Sequence, residues 1–306
     1  MIRTAITGSE KFIRNYVDII GSTPGFLVTG IHSNDHVIIL NQNSSTGCNE
    51  PATQEQLVEI SDALIVAGKS GDYFEIISRF LKSTRHVLIL PDTSLSHQQL
   101  KKLTKIAEEA GVILNLHHNT LNANIKKKIC EFIYRPEYIF LKSQISENSE
   151  VYQTIFEALF RYIYLILELN PVNIVKYQVT GIPVCSPQPR ILDVAIHFEN
   201  GTSAHLNIST YVKEESEKLE IFAQDRMISC EPLRSKLLMI MSKTDSVKRN
   251  SIKDPFWQKD EKDVLQKFFL AVTNKNGSES RFDSGVISHQ IASGILHQIH
   301  PLPVEN

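Results

Sequence analysis

Three short apolar runs, Asp62-Ala-Leu-Ile-Val-Ala-Gly68, His86-Val-Leu-Ile-Leu90 and Val112-Ile-Leu-Asn-Leu116, recur along the first half of the chain with an amphipathic segment between each pair. A strand that is apolar at nearly every position has to be covered on both faces, which is the condition of a parallel sheet. Between the runs, Tyr73, Ile76, Ile77, Phe80 and Leu81 follow a period near 3.6. A second helix starting at Ser96 carries Leu100, Leu103, Ile106, Ala107 and Ala110 on one face and stops at Gly111. The same alternation opens the chain. Arg3-Thr-Ala-Ile-Thr-Gly8 reads as strand and turn, Phe12, Ile13, Tyr16, Val17 and Ile20 as a helix face, and Gly25 to Ile31 as a buried strand behind a Pro-Gly turn. Gln54 to Ile60 is a short helix, and Val37 to Leu40 is either one more strand or the lead-in to the Asn/Ser-rich stretch 41–49. Alternation through residue 116 predicts a doubly wound parallel sheet with right-handed crossovers, whose ligands sit at the carboxyl edge of the strands.

The second half has a different grain. A helix over Val151 to Leu169 precedes five strand-like runs, Asn173 to Thr180, Ile191 to Phe198, Thr202 to Ser209, Lys218 to Ala223 and Arg226 to Cys230. Several alternate polar with apolar, as in His205-Leu-Asn-Ile-Ser, and Glu199-Asn-Gly-Thr202 is a strong hairpin turn. That pattern predicts a mainly antiparallel sheet covered on one face, so the chain divides into a Rossmann-like domain over 1–120 and an α+β domain over 121–306. The stretch from Lys243 to Lys262 reads as a long loop or lid, and two amphipathic helices, Val264 to Thr273 and Gly285 to Ile299, finish the chain.

Bulk properties narrow the partners. A length of 306 residues suits two cores, and 42% hydrophobic with 22% charged residues is ordinary globular usage. A net charge of -2 supplies no field to gather nucleic acid or an anionic membrane, and Lys126-Lys-Lys128 reads as a solvated helix face. Arg3, Glu10, Lys11, Arg14 and Asp18 break up any signal-like apolar stretch, and Arg161 and Glu168 interrupt the longest apolar run in the middle of the chain. Cys48, Cys130, Cys185 and Cys230 form no Cys-x-x-Cys pair, which predicts idle thiols in a reducing cytoplasm and no metal centre.

Several stretches together resemble the Gfo/Idh/MocA family, the relatives of glucose-fructose oxidoreductase and inositol dehydrogenase. His86-Val-Leu-Ile-Leu-Pro-Asp-Thr-Ser-Leu-Ser, continuing through Ala107-Glu-Glu-Ala-Gly111, is similar to the family's "KHVLCEKPLA" strand and "AEEAG" helix end. Val194-Ala-Ile-His-Phe-Glu-Asn-Gly201 resembles its "ATLRFENG" hairpin, Leu219-Glu-Ile-Phe-Ala its "LEIYGT" strand, and Phe282-Asp-Ser-Gly285 its closing segment. The resemblance implies the two-domain fold, an NAD or NADP cofactor, a sugar-like substrate and a homo-oligomer formed through the C-terminal sheet.

The departures are concentrated where the family's chemistry lies. Gly8-Ser-Glu-Lys-Phe-Ile13 occupies the place of the family's G-x-G-x-x-G turn, keeping only the first glycine, with Glu10 and Phe12 where the chain must be small. The acidic residue that receives the adenosine ribose corresponds to His32, with Ser33, Asn34 or Asp35 close enough to substitute. The lysine of the family's Glu-Lys-Pro motif is replaced in Leu90-Pro91-Asp92, and the catalytic histidine's helix offers only Thr154 or Ile155 and then Ala158 or Leu159. These coincident losses leave three readings: a scaffold that has lost dehydrogenase chemistry and binds a ligand or partner, with NAD, NADP or no cofactor; an NAD(P)-dependent oxidoreductase on a sugar or sugar derivative with an altered site; or a purely interacting subunit that pairs through the open face of its second sheet.

The residues themselves supply a short set of candidates. Gly8, Ser9, His32, Ser33, Lys69 and Asp92 fall at strand carboxyl ends where the resemblance places a cofactor, although Lys69-Ser-Gly-Asp72 reads equally as a capped helix start and Asp92-Thr-Ser94 as turn chemistry. His117 and His118, immediately after the run ending at Leu116, are candidates for catalysis, against the simpler reading of loop histidines. On the long helix, the hydroxyls of Tyr152 and Tyr162 are candidate proton donors, against the simpler reading of Phe156, Phe160, Tyr162 and Tyr164 as core.

Overall fold

The computed structural model describes residues 1–33, 36–40, 50–68, 73–90, 95–117, 120–146, 151–183, 189–234, 236–241, 246–251, 257–258, 261–273 and 284–299. The chain separates into two compact units, one of residues 1–118 with 260–287 and the other of residues 119–259 with 288–306. The first break lies near the expected boundary at 120. The second was not foreseen, because the C-terminal segment that the sequence assigns wholly to the second domain returns in part to the first.

The first unit runs β1 (Ile2–Gly8), α1 (Glu10–Ser22), β2 (Phe26–Ser33), β3 (His36–Ile39), β4 (Glu50–Ala52), α2 (Gln54–Ile60), β5 (Ala63–Ala67), α3 (Phe74–Lys82), β6 (His86–Ile89), α4 (His97–Ala110) and β7 (Leu114–Leu116). Its seven-stranded sheet has the order β4-β3-β2-β1-β5-β6-β7. The strands from β2 to β7 in that order are parallel, whereas β3 pairs antiparallel to β2 and β4 antiparallel to β3. Ala63 to Ala67 are all buried, as a strand sandwiched between helix layers must be. Thr53 and Ser96 close capping boxes on α2 and α4, and Gly111 ends α4 in the left-handed region at φ 66°.

The second unit contains β8 (Thr120–Leu121), α5 (Ala123–Phe132), β9 (Tyr138–Ser146), α6 (Val151–Leu169), β10 (Ile174–Pro183), β11 (Pro189–Phe198), β12 (Ser203–Val212), β13 (Ser216–Ala223), β14 (Arg226–Glu231), β15 (Lys236–Met241), β16 (Ser246–Ser251) and β17 (Trp257–Gln258). Helix α7 (Glu261–Thr273) belongs to the first unit, and α8 (Ser284–Ile299) crosses the dividing line. The eight-stranded sheet has the order β10-β11-β12-β9-β13-β14-β15-β16, antiparallel except where β12 runs parallel to β9. Alternating residues such as Leu192, Val194 and Ile196 of β11 and Leu206 and Ile208 of β12 are fully buried, so one face is covered.

The expected loop over 243–262 is corrected: β16 and β17 lie within it, and β9 and β15 are strands that the sequence reading passed over. Ser-Val-Lys-Arg-Asn-Ser has little strand signal of its own, and β16 forms because β15 presents a ready ladder from Lys236 to Met241.

In the first unit, α1 and α7 share a core with the sheet. Ile13, Tyr16 and Ile20 pack with Phe26, Ile65, Leu88, Val264, Leu265 and Phe268. Phe269 meets Phe26 edge-on at 5.8 Å, in the space that a side chain at Gly25 (φ 96°) would occupy. Among the described residues no helix is long and apolar enough to cross a membrane. Burial pushes the Cys230 thiol up to about 12 and that of Cys130 upward too, which keeps both in the unreactive thiol form.

Candidate functional site

Strand β1 lies between β2 and β5, so successive connections leave it in opposite directions. That is the topological switch point of an open parallel sheet, where a crevice forms at the carboxyl ends. The local sequence shapes it with two glycines. A Cβ on Gly8 would come within 1.8 Å of the Ala67 carbonyl oxygen, so the residue that ends β1 has to lack a side chain. Gly68, just past β5, sits at φ 124°, and a Cβ there would be 3.3 Å from the Ser9 nitrogen and 3.4 Å from the Phe12 ring.

Helix α1 starts from this turn. Ser9 occupies the N-cap in extended conformation, but its side chain makes no capping hydrogen bond, while its carbonyl accepts from the amides of Phe12 and Ile13 at 3.0 Å. The first-turn amides of Glu10 and Lys11 therefore lack a side-chain cap, and the positive end of a helix of 13 residues faces the crevice mouth.

The structure changes how the two expected obstacles act. The Glu10 side chain is 74% exposed and lies 4.0 Å from Arg14 one turn on, so its charge is spent in solvent and screened there. Counted from Gly8, the third fingerprint position falls on Ile13, which is 5% exposed within the core; the bulk at that place is absorbed by packing against the sheet. Phe12, one residue earlier, is half-buried beside Gly68 and narrows the crevice.

His32 ends β2 opposite Thr7 in the parallel register. Its Nδ1 lies 2.9 Å from the buried Thr7 hydroxyl and its Nε2 lies 3.0 Å from Gln54 Nε2, at the start of α2. An amide nitrogen can only donate, so Nε2 accepts from Gln54 and Nδ1–H donates to Thr7 Oγ1. The ring thus braces β1 against α2. It does not offer the paired acceptors of a carboxylate. Thr7 and Gln54 were not among the sequence candidates. The one signal that could have found Thr7 is that it stands across from His32 once β1 and β2 are paired. Next to it, the Ser33 hydroxyl is buried and has no hydrogen-bond partner among the described residues.

His117 follows β7 on the same edge, half-buried, with its amide donating to the Ile89 carbonyl at 2.8 Å. Lys69, Asp92 and His118, together with the alternatives Asn34 and Asp35, lie outside the described residues. Gly8, Ser9, His32, Ser33 and His117 are thereby brought to one edge of one sheet.

Tyr162 belongs to the second unit. It is fully buried, and its oxygen lies 2.7 Å from Ser143 Oγ, 2.5 Å from Glu217 Oε1 and 2.9 Å from an Arg161 nitrogen, with Arg161 also donating to Glu217 at 2.8 Å. Burial drives its phenol well above the ordinary range against the opposing pull of Arg161, so this hydroxyl holds its proton inside an internal cluster. Tyr152 is also raised by burial. Among the described residues no group of three or more His, Cys, Asp and Glu side chains is arranged to hold a metal.

No family model and no curated protein matches the chain. Solved structures do. The UDP-N-acetylglucosamine 3-dehydrogenase GnnA from Acidithiobacillus ferrooxidans aligns with a TM-score of 0.65 and 16% identity over 96% of this chain and 99% of that one. Biliverdin reductase from Synechocystis sp. PCC 6803, solved with biliverdin and NADP+, gives 0.63 and 12% over 96% and 98%. The dehydrogenase MviM from Clostridium difficile gives 0.67 and 14% over 97% and 99%. The chain therefore has the fold of these oxidoreductases, a Rossmann-like parallel sheet followed by a second unit with a mainly antiparallel sheet.

Proposed function

We propose that the protein is an NAD(P)-dependent oxidoreductase of the Gfo/Idh/MocA type acting on a sugar or sugar derivative, with a catalytic site altered from the family's pattern. The observation that carries this reading is the pairing of Gly8 and Gly68 at the switch point under an α1 N-terminus that Ser9 leaves without a side-chain cap. A dinucleotide diphosphate fits there: the amides of the first turn would receive its charge, with Glu10 turned to solvent. A bound nicotinamide would supply hydride transfer. The residues of this chain bind and orient. Ser33 has a buried hydroxyl to offer at the ribose end of the crevice, and His32 in place of an acidic residue removes the charge that would repel a 2′-phosphate, which favours NADP(H). The family's lysine and histidine have no counterparts in this sequence, so His117, on the same sheet edge, is the candidate for exchanging the substrate hydroxyl proton.

The exposed face of the eight-stranded sheet supports self-association. Tyr138, Phe140 and Phe222 share that face with His205, Lys142 and Lys218. Eight strands about 4.8 Å apart and some eight residues long at about 3.4 Å per residue cover roughly 900 Å², near the roughly 800 Å² per partner that a stable complex buries. Sedimentation of the wild type and of Phe140→Lys tests this; a wild-type monomer at high concentration refutes it.

The cofactor reading is tested by titrating the protein with NADP(H) and NAD(H) while following nicotinamide fluorescence and melting temperature. Binding at a hundred times the dissociation constant is expected to stabilise by about 2.7 kcal/mol. No response to either dinucleotide would overturn the proposal.

A further inference from the structure

At one end of the second unit's sheet, a depression of about 580 Å³ opens between the segment that links α5 to β9, the β11–β12 turn and the β13–β14 turn. Its volume falls in the roughly 300–1,000 Å³ range of small-molecule sites. Nothing in the proposed oxidoreductase reading uses it. Tyr134 stands at this depression with 95% of its surface in water, while its neighbours Ile133 and Pro136 are buried and fix the segment that carries it. Leaving a whole aromatic ring in solvent beside a cavity forfeits apolar burial that the fold elsewhere secures.

The surrounding polar groups are planar and balanced in charge. Arg135 is exposed and donates to the Asn200 carbonyl at 3.2 Å. Arg226 lies over the Phe132 ring at 5.5 Å, donates to the Phe132 carbonyl at 2.9 Å and meets Asp225 at 3.5 Å. Glu137 and Asp225 offset the two guanidiniums, and Gln224 adds an exposed amide. An anion entering here would meet two carboxylates and a cation two arginines, while Phe132, Ile133, Pro136 and Tyr134 add apolar surface suited to the C–H face of a neutral ring.

We propose that this depression is a binding site for a neutral polyhydroxylated ligand, a sugar ring stacking on Tyr134 with adjacent hydroxyls bridged by Arg135, Gln224 and Glu137. Vicinal hydroxyls are donors and acceptors at once, so they pair with guanidinium, amide and carboxylate together without bringing net charge. The site is independent of the dinucleotide crevice, and the experiment is run with no nicotinamide cofactor present.

Saturation-transfer NMR and calorimetry with maltose and cellobiose, and with citrate as an anionic probe, test it on the full chain. Wild type is expected to bind at least one disaccharide, with affinity falling at least tenfold in Tyr134→Ala and several-fold in Gln224→Ala, and with unchanged melting temperatures because both side chains are exposed. Absence of saccharide binding up to tens of millimolar overturns the proposal. So does saccharide binding that survives Tyr134→Ala, or citrate binding tighter than either sugar.

Discussion

The carboxyl end of β1 and the cluster around Tyr162 both gather polar groups, yet the backbone treats them in opposite ways. At β1, Gly8 and Gly68 remove side chains so that Ser9 and the start of α1 stay accessible at a sheet edge. Around Tyr162, Ser143, Glu217 and Arg161 are joined by hydrogen bonds to the phenol or to one another, with the phenol fully buried. A polar residue thus says little about function until it is known whether its hydrogen-bonding capacity is already consumed. On that measure the first region supports the proposed dinucleotide site, and the second reads as an internal polar cluster.

The largest effect that tests this contrast is expected from Gly8→Ala. A Cβ 1.8 Å from the Ala67 carbonyl forces the strands apart and should cost about 3 kcal/mol or more in urea unfolding. Gly111→Ala is the control, since its φ of 66° carries strain but nothing lies within 4 Å of the added atom; about 1 kcal/mol is expected. Equal losses would mean that close approach at β1 contributes nothing.

Next, Tyr162→Phe should lose about 1–3 kcal/mol, because a buried donor to Glu217 disappears and Ser143 loses a partner. Dinucleotide affinity in the same variant should stay within a factor of two; a large drop would place Tyr162 in the chemistry after all.

A pH series separates two further groups in the first unit. Burial lowers His86, with Asp62 opposing and Arg85 adding to the shift, and its Nδ1 accepts from the Ile113 amide at 3.1 Å. Because the unfolded ring titrates near about 6.5 and the folded ring below that, the unfolded chain binds more protons, so stability falls as pH drops through that window. Asp62 is held low by its hydrogen bond to Arg3, so its contribution is intact above about 3.9 and is lost only at more acid pH. Urea midpoints between pH 7.5 and 5 should decline in the wild type and decline less in His86→Gln; identical slopes would reject the assignment.

The smallest effect is expected at Glu10→Gln. With the carboxylate in solvent beside Arg14, stability should change by less than about 0.5 kcal/mol and NADP(H) affinity by no more than about threefold. A tenfold gain in affinity would show that this charge does oppose a diphosphate.

The parallel sheet was legible because β1, β5, β6 and β7 are apolar enough to declare themselves without a partner. By contrast, β16 is polar and takes its conformation from β15, and the β3–β4 edge pairs across the stretch 41–49, where no local pattern signals it. Gly8 could be read from the chain as a turn glycine. Gly68 could not be read as part of the site, since its role depends on Ser9 approaching from 59 positions earlier in the sequence, and a threonine on β1 and a glutamine opening α2 carry no mark of the histidine they hold between them.

The return of α7 to the first unit sets an order of events during synthesis. Tyr16, Ile20 and Phe26 wait for Val264, Leu265 and Phe268, so the amino-terminal half leaves the ribosome with an open seam that only a late segment can close. The part made first is finished last, and a fragment ending near residue 118 should be prone to clumping however sound its sheet.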